Sequence, residues 1–381
     1  MNKNRAGRFN KIGSGDTAYS CFVPNPLPPE PPVLYDDEML CILSEADRFL
    51  GRLDEVTDLL IAPNFFVYMY ARKEATLSAQ IEGTQATFSD LIKKEAGIEN
   101  KDIPDDVREI ENYVKALNYG LERLSTLPLS LRLIKEIHEI LLNEVRGQHK
   151  FPGEFRTSQN WIGGISISTA SYIPPSPEYL SELLDNFEKF LHREDKIPAL
   201  VKTALIHSQF EMIHPFLDGN GRAGRLLITF YLAWKGILRK PTLYISKFFK
   251  KYRQQYYDCL WNIHSKGDYE NWIKFFLQGI IQTSKEAVET SRRIQKLKED
   301  DLKKIETLGR LTDKGGLVFR RLFEMPAITV NDVSKLVGIN FANASKLVEK
   351  LVKLGILELF GERKRNRVFV YRKYVDIFSE E

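Results

Sequence analysis

The chain has 381 residues, 43% of them hydrophobic and 28% charged, and its formal net charge is +4. This length allows two or three domains with a full core, and the composition is typical of a globular protein. The net charge is too small to indicate a polyanionic partner for the molecule as a whole. Cys21, Cys41 and Cys259 are scattered, which argues against a disulfide framework or a zinc ribbon and fits a reducing cytosol.

Neither a signal peptide nor a membrane-spanning helix is predicted. The first residues, MNKNRAGRFNKIGSG, lack the apolar region of a signal peptide. No uncharged apolar run approaches the roughly 20 residues that a spanning helix needs. We therefore expect a soluble, cytoplasmic protein with no membrane partner.

The first third of the chain predicts an arm followed by helices. Residues 1–35 are expected to form an extended proline-rich arm on the surface, because six of the nine residues from Pro24 to Pro32 are prolines. From about residue 36 the apolar side chains are spaced by three and four, a second helix is predicted from Asn64 to Glu82, and a further helical pattern covers 104–124, so residues 36–125 are predicted to form an N-terminal helical region. Later helical patterns cover residues 129–146, 178–192, 199–213, 222–235, 247–264 and 269–292.

The rest of the chain predicts three further segments. Residues 126–282 form a mostly helical core, except at 152–177, where a Gly-Gly pair and β-branched residues predict a short β-hairpin. Residues 283–312 mix charges and predict a linker helix. Residues 313–381 give a short helix, a turn, a longer helix and a hairpin, which is the order of a winged helix-turn-helix domain. The predicted fold class is mainly α.

One stretch, HPFLDGNGRAGR, holds much of the chemistry that the sequence offers. Pro215 should end the preceding helix near His214, and the next helix should begin near Arg222. Gly219 and Gly221 allow the backbone between the two helices to approach a ligand closely. Amide groups that open a helix form an anion site, so this stretch predicts a phosphate-binding loop.

The side chains of the same stretch predict a group transfer. Arg222 and Arg225 are three residues apart, so they share a helix face and can donate to phosphate oxygens. Asp218 is suited to hold Mg²⁺, which takes one or two carboxylates together with phosphate oxygens. His214 titrates near neutral pH. Together they predict transfer of a phosphate-linked group, with His214 as general base on an incoming hydroxyl.

A metal site is the rival interpretation of the preceding helix. His207, Glu211 and His214 occur at positions i, i+4 and i+7 and could ligate a metal in a metallohydrolase. That interpretation leaves the glycine loop and both arginines without a role. We therefore favour the phosphate site and expect His207 to be a hydrogen-bonded core histidine.

The stretch resembles the Fic-domain signature HPFx[DE]GNGRxxR and matches it at every specified position. The similarity continues through KEATLSAQIEGTQ, PGEFRTSQNWIGG, SYIPPSP and WIKFFL, over about residues 35–290. It implies a Fic-type helical bundle with a short β-hairpin flap, and the added winged helix also recurs in this family. The implied activity moves AMP from ATP to a Ser, Thr or Tyr hydroxyl of a target protein and releases pyrophosphate.

The resemblance also implies roles for single residues. His214 is the base that deprotonates the target hydroxyl, Asp218 holds Mg²⁺ against the phosphates, and Phe216 is the buried anchor of the loop. Arg222 contacts the phosphates and Arg225 binds the γ-phosphate. The implied ATP-binding residues of the motif are Gly219, Asn220, Gly221, Arg222 and Arg225.

Two further parts of the ATP and target sites follow from the resemblance. The flap, which lays the target backbone beside the active site as an added strand, comprises Ile165, Ser166, Ile167, Ser168, Thr169, Ala170, Ser171 and Tyr172. Tyr256 and Tyr257 are candidates for adenine binding. They are equally compatible with a place in the aromatic core.

A second short stretch predicts control of this site. SAQIEG, from Ser78 to Gly83, resembles the [ST]xxxE[GN] pattern of the family's inhibitory helix. Ser78 and Glu82 lie on one face of that helix, so Glu82 can pair with Arg225 and neutralise the guanidinium that the γ-phosphate needs. The same glutamate could instead position a water for the reverse, de-AMPylating reaction, and the sequence leaves both open.

The C-terminal segment predicts DNA binding. Nine basic and three acidic residues occur between 340 and 373, and Asn340, Asn343, Ser345 and Lys346 lie near the start of the predicted recognition helix. Winged helices also dock proteins, which is the alternative.

Three interpretations of the whole chain remain at this point. The first is an AMP transferase held inactive by its own helix, with ATP, Mg²⁺ and a protein target, itself included, as partners. The second is a nucleotide-sensing DNA-binding regulator, which His214 disfavours because a sensor needs no base. The third is a transferase of another phosphate-linked group. A homodimer is compatible with all three.

Overall fold

The computed structural model describes residues 4–15, 18–95, 104–360 and 367–379. They form a mainly helical protein with two small β-sheets, as predicted. The contacts divide the chain into two units. One comprises Met1–Gly51 and Tyr70–Ser284, and the other Arg52–Met69 and Lys285–Glu381.

The N-terminal residues differ from the predicted arm. Strands β1 (Gly7–Ile12) and β2 (Tyr19–Pro24) pair as an antiparallel hairpin, with Gly7 opposite Pro24 and Ile12 opposite Tyr19. Cys21 and Phe22 of β2 are buried in the core of the first unit. The prediction of an extended surface arm over residues 1–35 is therefore wrong for this hairpin, because burial of the apolar run in β2 outweighs the effect of the prolines that follow it.

Eleven α-helices begin before residue 285 in the part of the chain that the structure describes. They are α1 (Asp37–Asp58), α2 (Pro63–Ile81), α3 (Phe88–Glu95), α4 (Val107–Arg123), α5 (Leu131–Leu141), α6 (Leu180–His192), α7 (Ala199–Ile213), α8 (Asn220–Trp234), α9 (Ser246–Lys251), α10 (Arg253–Lys266) and α11 (Tyr269–Glu306). The sequence did not predict α3, which is short and begins at a capping exchange between Thr87 and Asp90. The predicted helix over 247–264 is divided into α9 and α10 at Tyr252.

Helices α7 and α8 form the centre of the first unit. Nearly every residue of α7 is buried, including polar ones such as Thr203, His207 and Gln209, so the helix lies inside the unit on every side. It packs along α8, and α8 also contacts α4 and α5. The loop between α7 and α8 is therefore fixed at both ends by core helices.

The second unit contains the predicted helix-turn-helix. It comprises α12 (Thr312–Glu324), β3 (Ala327–Thr329), α13 (Val330–Val337), α14 (Phe341–Lys353), β4 (Glu358–Phe360), β5 (Val368–Val370) and α15 (Arg372–Ser379), and its antiparallel sheet has the order β3-β5-β4. Residues 361–366, most of the predicted basic wing, lie outside the described residues. The winged form and the DNA-binding role therefore stay predictions.

The predicted linker helix over 283–312 is the continuation of α11, which runs to Glu306 without a break. It is not exposed on all sides, since Ile294 and Ile305 are buried. Asp301, also buried, accepts a hydrogen bond from the hydroxyl of Tyr371. In the part of the chain that the structure describes, no helix is both long enough and apolar enough to cross a membrane.

Candidate active site

His214 lies where α7 ends, in an unusual backbone conformation. Its φ of 49° and ψ of 60° are left-handed, a region that non-glycine residues seldom adopt and that is often found at functional sites. Burial, and then the charge of Arg156, lower the pKa of His214 to about 4. The imidazole is therefore neutral at physiological pH, as a general base must be.

The loop after His214 is held by amide side chains. Asn220 accepts a hydrogen bond from the amide of Phe216 at 2.9 Å and donates one to the Phe216 carbonyl at 2.8 Å. Asn160 donates to the same carbonyl at 2.8 Å. The Phe216 ring is fully buried, so it is the anchor that the sequence predicts.

His138, on α5, contacts the same loop through its ring. Its ring stacks on Phe216, with centroids 3.6 Å apart, and its Nδ1 accepts a hydrogen bond from the Gly153 amide at 2.9 Å. Nε2 therefore carries the proton and donates to the Asp218 carbonyl at 2.8 Å. Burial lowers the pKa of His138 to about 4, so this tautomer persists at neutral pH.

Arg222 presents unused donors at the start of α8. The side chain is buried, and its Nε and Nη1 have no hydrogen-bond partner among the described residues. Carboxylate oxygens of Glu109 and Asp218 lie 3.5 and 3.8 Å from its nitrogens, too far for good hydrogen bonds. Buried donors without partners are costly, so this guanidinium is suited to an anion that enters the site.

Arg225, one turn further along α8, contacts the predicted inhibitory residues. Its Nε donates to the hydroxyl of Ser78 at 2.7 Å, and its Nη2 donates to the Ser78 carbonyl at 3.0 Å and to Oε1 of Glu82 at 2.8 Å. A side chain at Gly221 would collide with this carboxylate, because a Cβ there would lie 2.2 Å from Oε1. Burial, the largest single influence, would raise the pKa of Glu82, but Arg225 together with Arg222 and His214 holds that pKa below its ordinary value.

Asp218 fits a role as the single protein carboxylate on a phosphate-bound Mg²⁺. Its side chain is 34% exposed, and its Oδ1 accepts a hydrogen bond from the Gly219 amide at 2.6 Å. Oxygen donors of this kind suit Mg²⁺, which usually keeps several waters and phosphate oxygens. Within the described ranges there is no group of three or more His, Cys, Asp or Glu residues that could hold a metal by themselves.

The rival metal site on α7 is not formed. Both ring nitrogens of His207 are occupied, at 2.9 Å from the Gly224 carbonyl and 2.8 Å from the Tyr256 hydroxyl. Burial lowers the pKa of His207 to about 3 and raises that of Glu211 to about 7. His207 is thus the hydrogen-bonded core histidine that the sequence predicts.

The predicted flap is less regular than a hairpin. A single antiparallel bridge joins Ile162 and Tyr172 in place of paired strands. Gly163 and Gly164, with φ of 71° and 72°, turn the chain sharply, and a short 3-10 turn spans Ile167–Thr169. These turns prevent a continuous extended backbone. The flap residue Ile165 is 96% exposed.

The two adenine candidates have different environments. Tyr256 is buried, its hydroxyl is bonded to His207, and its ring stacks on Phe249. It is therefore a core aromatic, because no face of it is open to a ligand. Tyr257 is partly exposed with the guanidinium of Arg253 over its ring, and Glu82 contributes to the raised pKa of its hydroxyl, second to burial. Tyr257 stays a candidate.

Three further side chains near the motif carry no strong signal in the sequence. They are Glu109 beside Arg222, His138 beneath the loop and Arg156 beside His214. All three are buried. A buried charged residue is a weak signal in sequence alone, since its burial becomes evident only after folding.

The sequence is similar to that of known proteins. Residues 40–122 match the family described as Fic/DOC family N-terminal, and residues 128–232 match the Fic/DOC family. Similar curated proteins include the Protein adenylyltransferase Fic of Drosophila mojavensis, 31% identical over 242 residues, and that of Aedes aegypti, 29% identical over 238 residues. These matches cover 60% and 59% of this chain but 45% and 44% of the relatives. The chain thus spans less than half the length of the curated relatives it matches.

Solved structures share the fold. A Fic family protein from Desulfovibrio desulfuricans G20 superposes with a TM-score of 0.62 at 19% identity, over 89% of this chain and 97% of that one. A Fic domain containing signaling protein from Bacteroides thetaiotaomicron VPI-5482 superposes with a TM-score of 0.50 at 18% identity, over 67% of this chain and 97% of that one. The two family matches confirm the resemblance seen in the motif: the chain contains a Fic/DOC family N-terminal domain over residues 40–122 and a Fic/DOC family domain over residues 128–232.

Proposed function

We propose that this protein transfers AMP from ATP to a Ser, Thr or Tyr hydroxyl of a target protein, and that Glu82 holds this activity down. The observation that carries the proposal is the loop between α7 and α8. There a neutral His214 precedes a helix start at which the buried Arg222 has donors without partners. The relatives named protein adenylyltransferase support the reaction type.

The reaction needs a base, an anion site and a leaving group. The target hydroxyl oxygen attacks the α-phosphorus of ATP and gives its proton to the His214 imidazole. The bond from the α-phosphorus to the oxygen that bridges to the β-phosphate breaks, and pyrophosphate leaves. Amides at the start of α8 and the donors of Arg222 stabilise the negative charge on the phosphates.

Mg²⁺ is the metal that Asp218 suits. When bound, it would neutralise charge on the phosphate oxygens. Two hydrogen bonds hold Asp218 in place: the Gly219 amide donates to its carboxylate, and the His138 ring donates to its carbonyl. The carboxylate is therefore fixed before the nucleotide binds.

Glu82 is the inhibitory element of the proposal. Its carboxylate takes the Arg225 donor that the γ-phosphate of ATP would use. ATP that binds without this contact lies out of line for attack on its α-phosphorus, and small misplacements of this kind cost about 100-fold in rate. Placement of a water for the reverse reaction is the alternative role of the same carboxylate.

Labelled ATP tests the reaction. Full-length protein, as wild type and as Glu82→Gly, is incubated with Mg²⁺ and ATP labelled at the α- or the γ-phosphate. We expect protein-bound label from the α-phosphate alone. Label from the γ-phosphate would identify phosphate transfer, and binding of ATP without label from either position would identify a nucleotide sensor.

The pH dependence tests His214 as the base. Because its pKa is lowered to about 4, the imidazole is neutral at every pH well above that value. The charge of Glu82 raises this pKa, so its removal does not make His214 easier to protonate. The kcat/KM of Glu82→Gly for ATP, which reports the free enzyme, should therefore show no protonation step of this histidine between about pH 8 and pH 6. A step near pH 6.5, the value of an ordinary histidine, would contradict the assignment.

A further inference from the structure

We propose that Arg156 is a positioning residue for His214: its guanidinium fixes the backbone that presents the imidazole and ties it to the base of the flap. The inference rests on the proposed function, because His214 is taken as the base and the flap as the place where the target docks. Arg156 itself would touch neither ATP nor target.

Arg156 contacts three consecutive residues at the end of α7. Its Nε donates to the carbonyl of His214 at 2.9 Å, and its Nη2 lies 3.4 Å from the carbonyl of Ile213. Its own backbone amide donates to the carbonyl of Pro215 at 2.9 Å. The carbonyls at the C-terminal end of a helix carry partial negative charge, so a cation there is favoured.

These contacts oppose the natural preference of the chain at His214. A residue before proline favours an extended backbone, whereas His214 has a left-handed one. Such a conformation is unfavourable and persists only where its surroundings enforce it. The hydrogen bond from Arg156 to the His214 carbonyl supplies that enforcement and so fixes the direction of the side chain.

The same guanidinium reaches both sides of the flap. Nη1 donates to the carbonyl of Ser158 at 3.3 Å, before the flap, and Nη2 donates to that of Pro175 at 2.5 Å, after it. One rigid side chain thus joins the base to the segment that would align the target. Their relative placement decides whether the target hydroxyl lies within reach of the imidazole.

The chemistry of these contacts requires arginine. All four side-chain hydrogen bonds of Arg156 that the structure describes end on carbonyl oxygens, and the residue is only 4% exposed. A planar guanidinium can serve several acceptors at fixed angles, whereas a lysine ammonium is a single point on a flexible stem. The charged groups that act on His214 are Arg156, which lowers its pKa, and Glu82 from the end of α2, which raises it.

Arg156→Lys in the Glu82→Gly protein tests the proposal. We expect kcat for AMP transfer to fall about tenfold or more, with KM for ATP nearly unchanged, because the base is displaced while the phosphate site is intact. Arg5→Lys is the matched control. Arg5 is 8% exposed and also donates to backbone carbonyls, those of Pro31, Pro32 and Gly267. The Arg5→Lys variant should have a lower melting temperature but an unchanged kcat.

An NMR titration of His214 with isotope-labelled histidine gives a readout that needs no activity. Arg156→Gln should raise the pKa of His214 from about 4 towards the ordinary histidine value, since the neighbouring positive charge is lost. Arg5→Gln should not change it. If neither the wild type nor any variant transfers AMP but the pKa of His214 shifts, the proposed function fails and the link between Arg156 and His214 stands.

Three outcomes would overturn the role of Arg156. The first is an unchanged kcat in Arg156→Lys, and the second is an unchanged His214 titration in Arg156→Gln. The third is that Arg156→Lys fails to fold while Arg5→Lys folds, which would show that Arg156 stabilises the fold and does not specifically position His214.

Discussion

Glu82→Gly is expected to raise self-AMPylation with α-labelled ATP by roughly 10- to 100-fold, the equivalent of one charge-assisted contact of about 1.5–3 kcal/mol. Removing the carboxylate frees the N–H of Arg225 Nη2 that it accepts at 2.8 Å, while the bond from Nη2 to the Ser78 carbonyl remains. The γ-phosphate can then take that donor, and ATP aligns for attack. The measurement is the initial rate of label incorporation at fixed ATP and Mg²⁺.

Two further variants separate charge from shape. Glu82→Gln keeps a similar side chain but loses the charge, so its rate should lie between those of the wild type and Glu82→Gly. Glu144→Gly is the control, because Glu144 also pairs with an arginine, Arg108, and already has a positive φ of 52° that glycine tolerates. Its rate should equal that of the wild type. Equal rates for Glu82→Gly and the wild type would show that the pair with Arg225 does not restrain the enzyme.

His214→Ala in the Glu82→Gly protein should lower AMP transfer by about 10²- to 10⁴-fold, the usual contribution of a general base. ATP binding, measured by calorimetry, should change little, since the proposed phosphate contacts come from α8. The matched control is His192→Ala, because His192 is an exposed histidine at the end of α6 whose ring meets that of Trp234 edge to face. Transfer that survives in His214→Ala would mean that another group takes the proton.

The part of the site that the sequence predicts best is the part built from local spacing. Ser78 and Glu82 are four residues apart on a helix, so one arginine can meet both, and Arg225 does. The glycine loop and its helix start are likewise local features, fixed by Gly219, Asn220 and the proline after His214. That Arg225, and no other arginine, meets Ser78 and Glu82 follows only from the resemblance to the family.

The contacts that the sequence could not predict are long-range contacts with backbone carbonyls. Arg156 and His138 bind carbonyls of residues 213, 214 and 218, and a carbonyl is present in every residue, so no pattern marks the acceptor. The N-terminal hairpin was missed for a different reason. Its strands are short, and β2 is defined by burial against the core of the first unit, which a local pattern does not reveal.

Of the two residues proposed to inhibit, Ser78 lies in α2, which belongs to the core, and Glu82 directly follows the end of that helix. From Tyr70 to Ser78, α2 is largely buried, and Ser78 is fully so, whereas the Glu82 side chain is 33% exposed. Detaching the helix would expose the core, so release should be confined to the final turn. In the proposed function ATP and Glu82 compete for one guanidinium, which couples them thermodynamically and reciprocally. A change that moves the Glu82 carboxylate away from Arg225 would strengthen the productive binding of ATP. By the same free energy, ATP bound productively would favour the state in which the carboxylate has left Arg225.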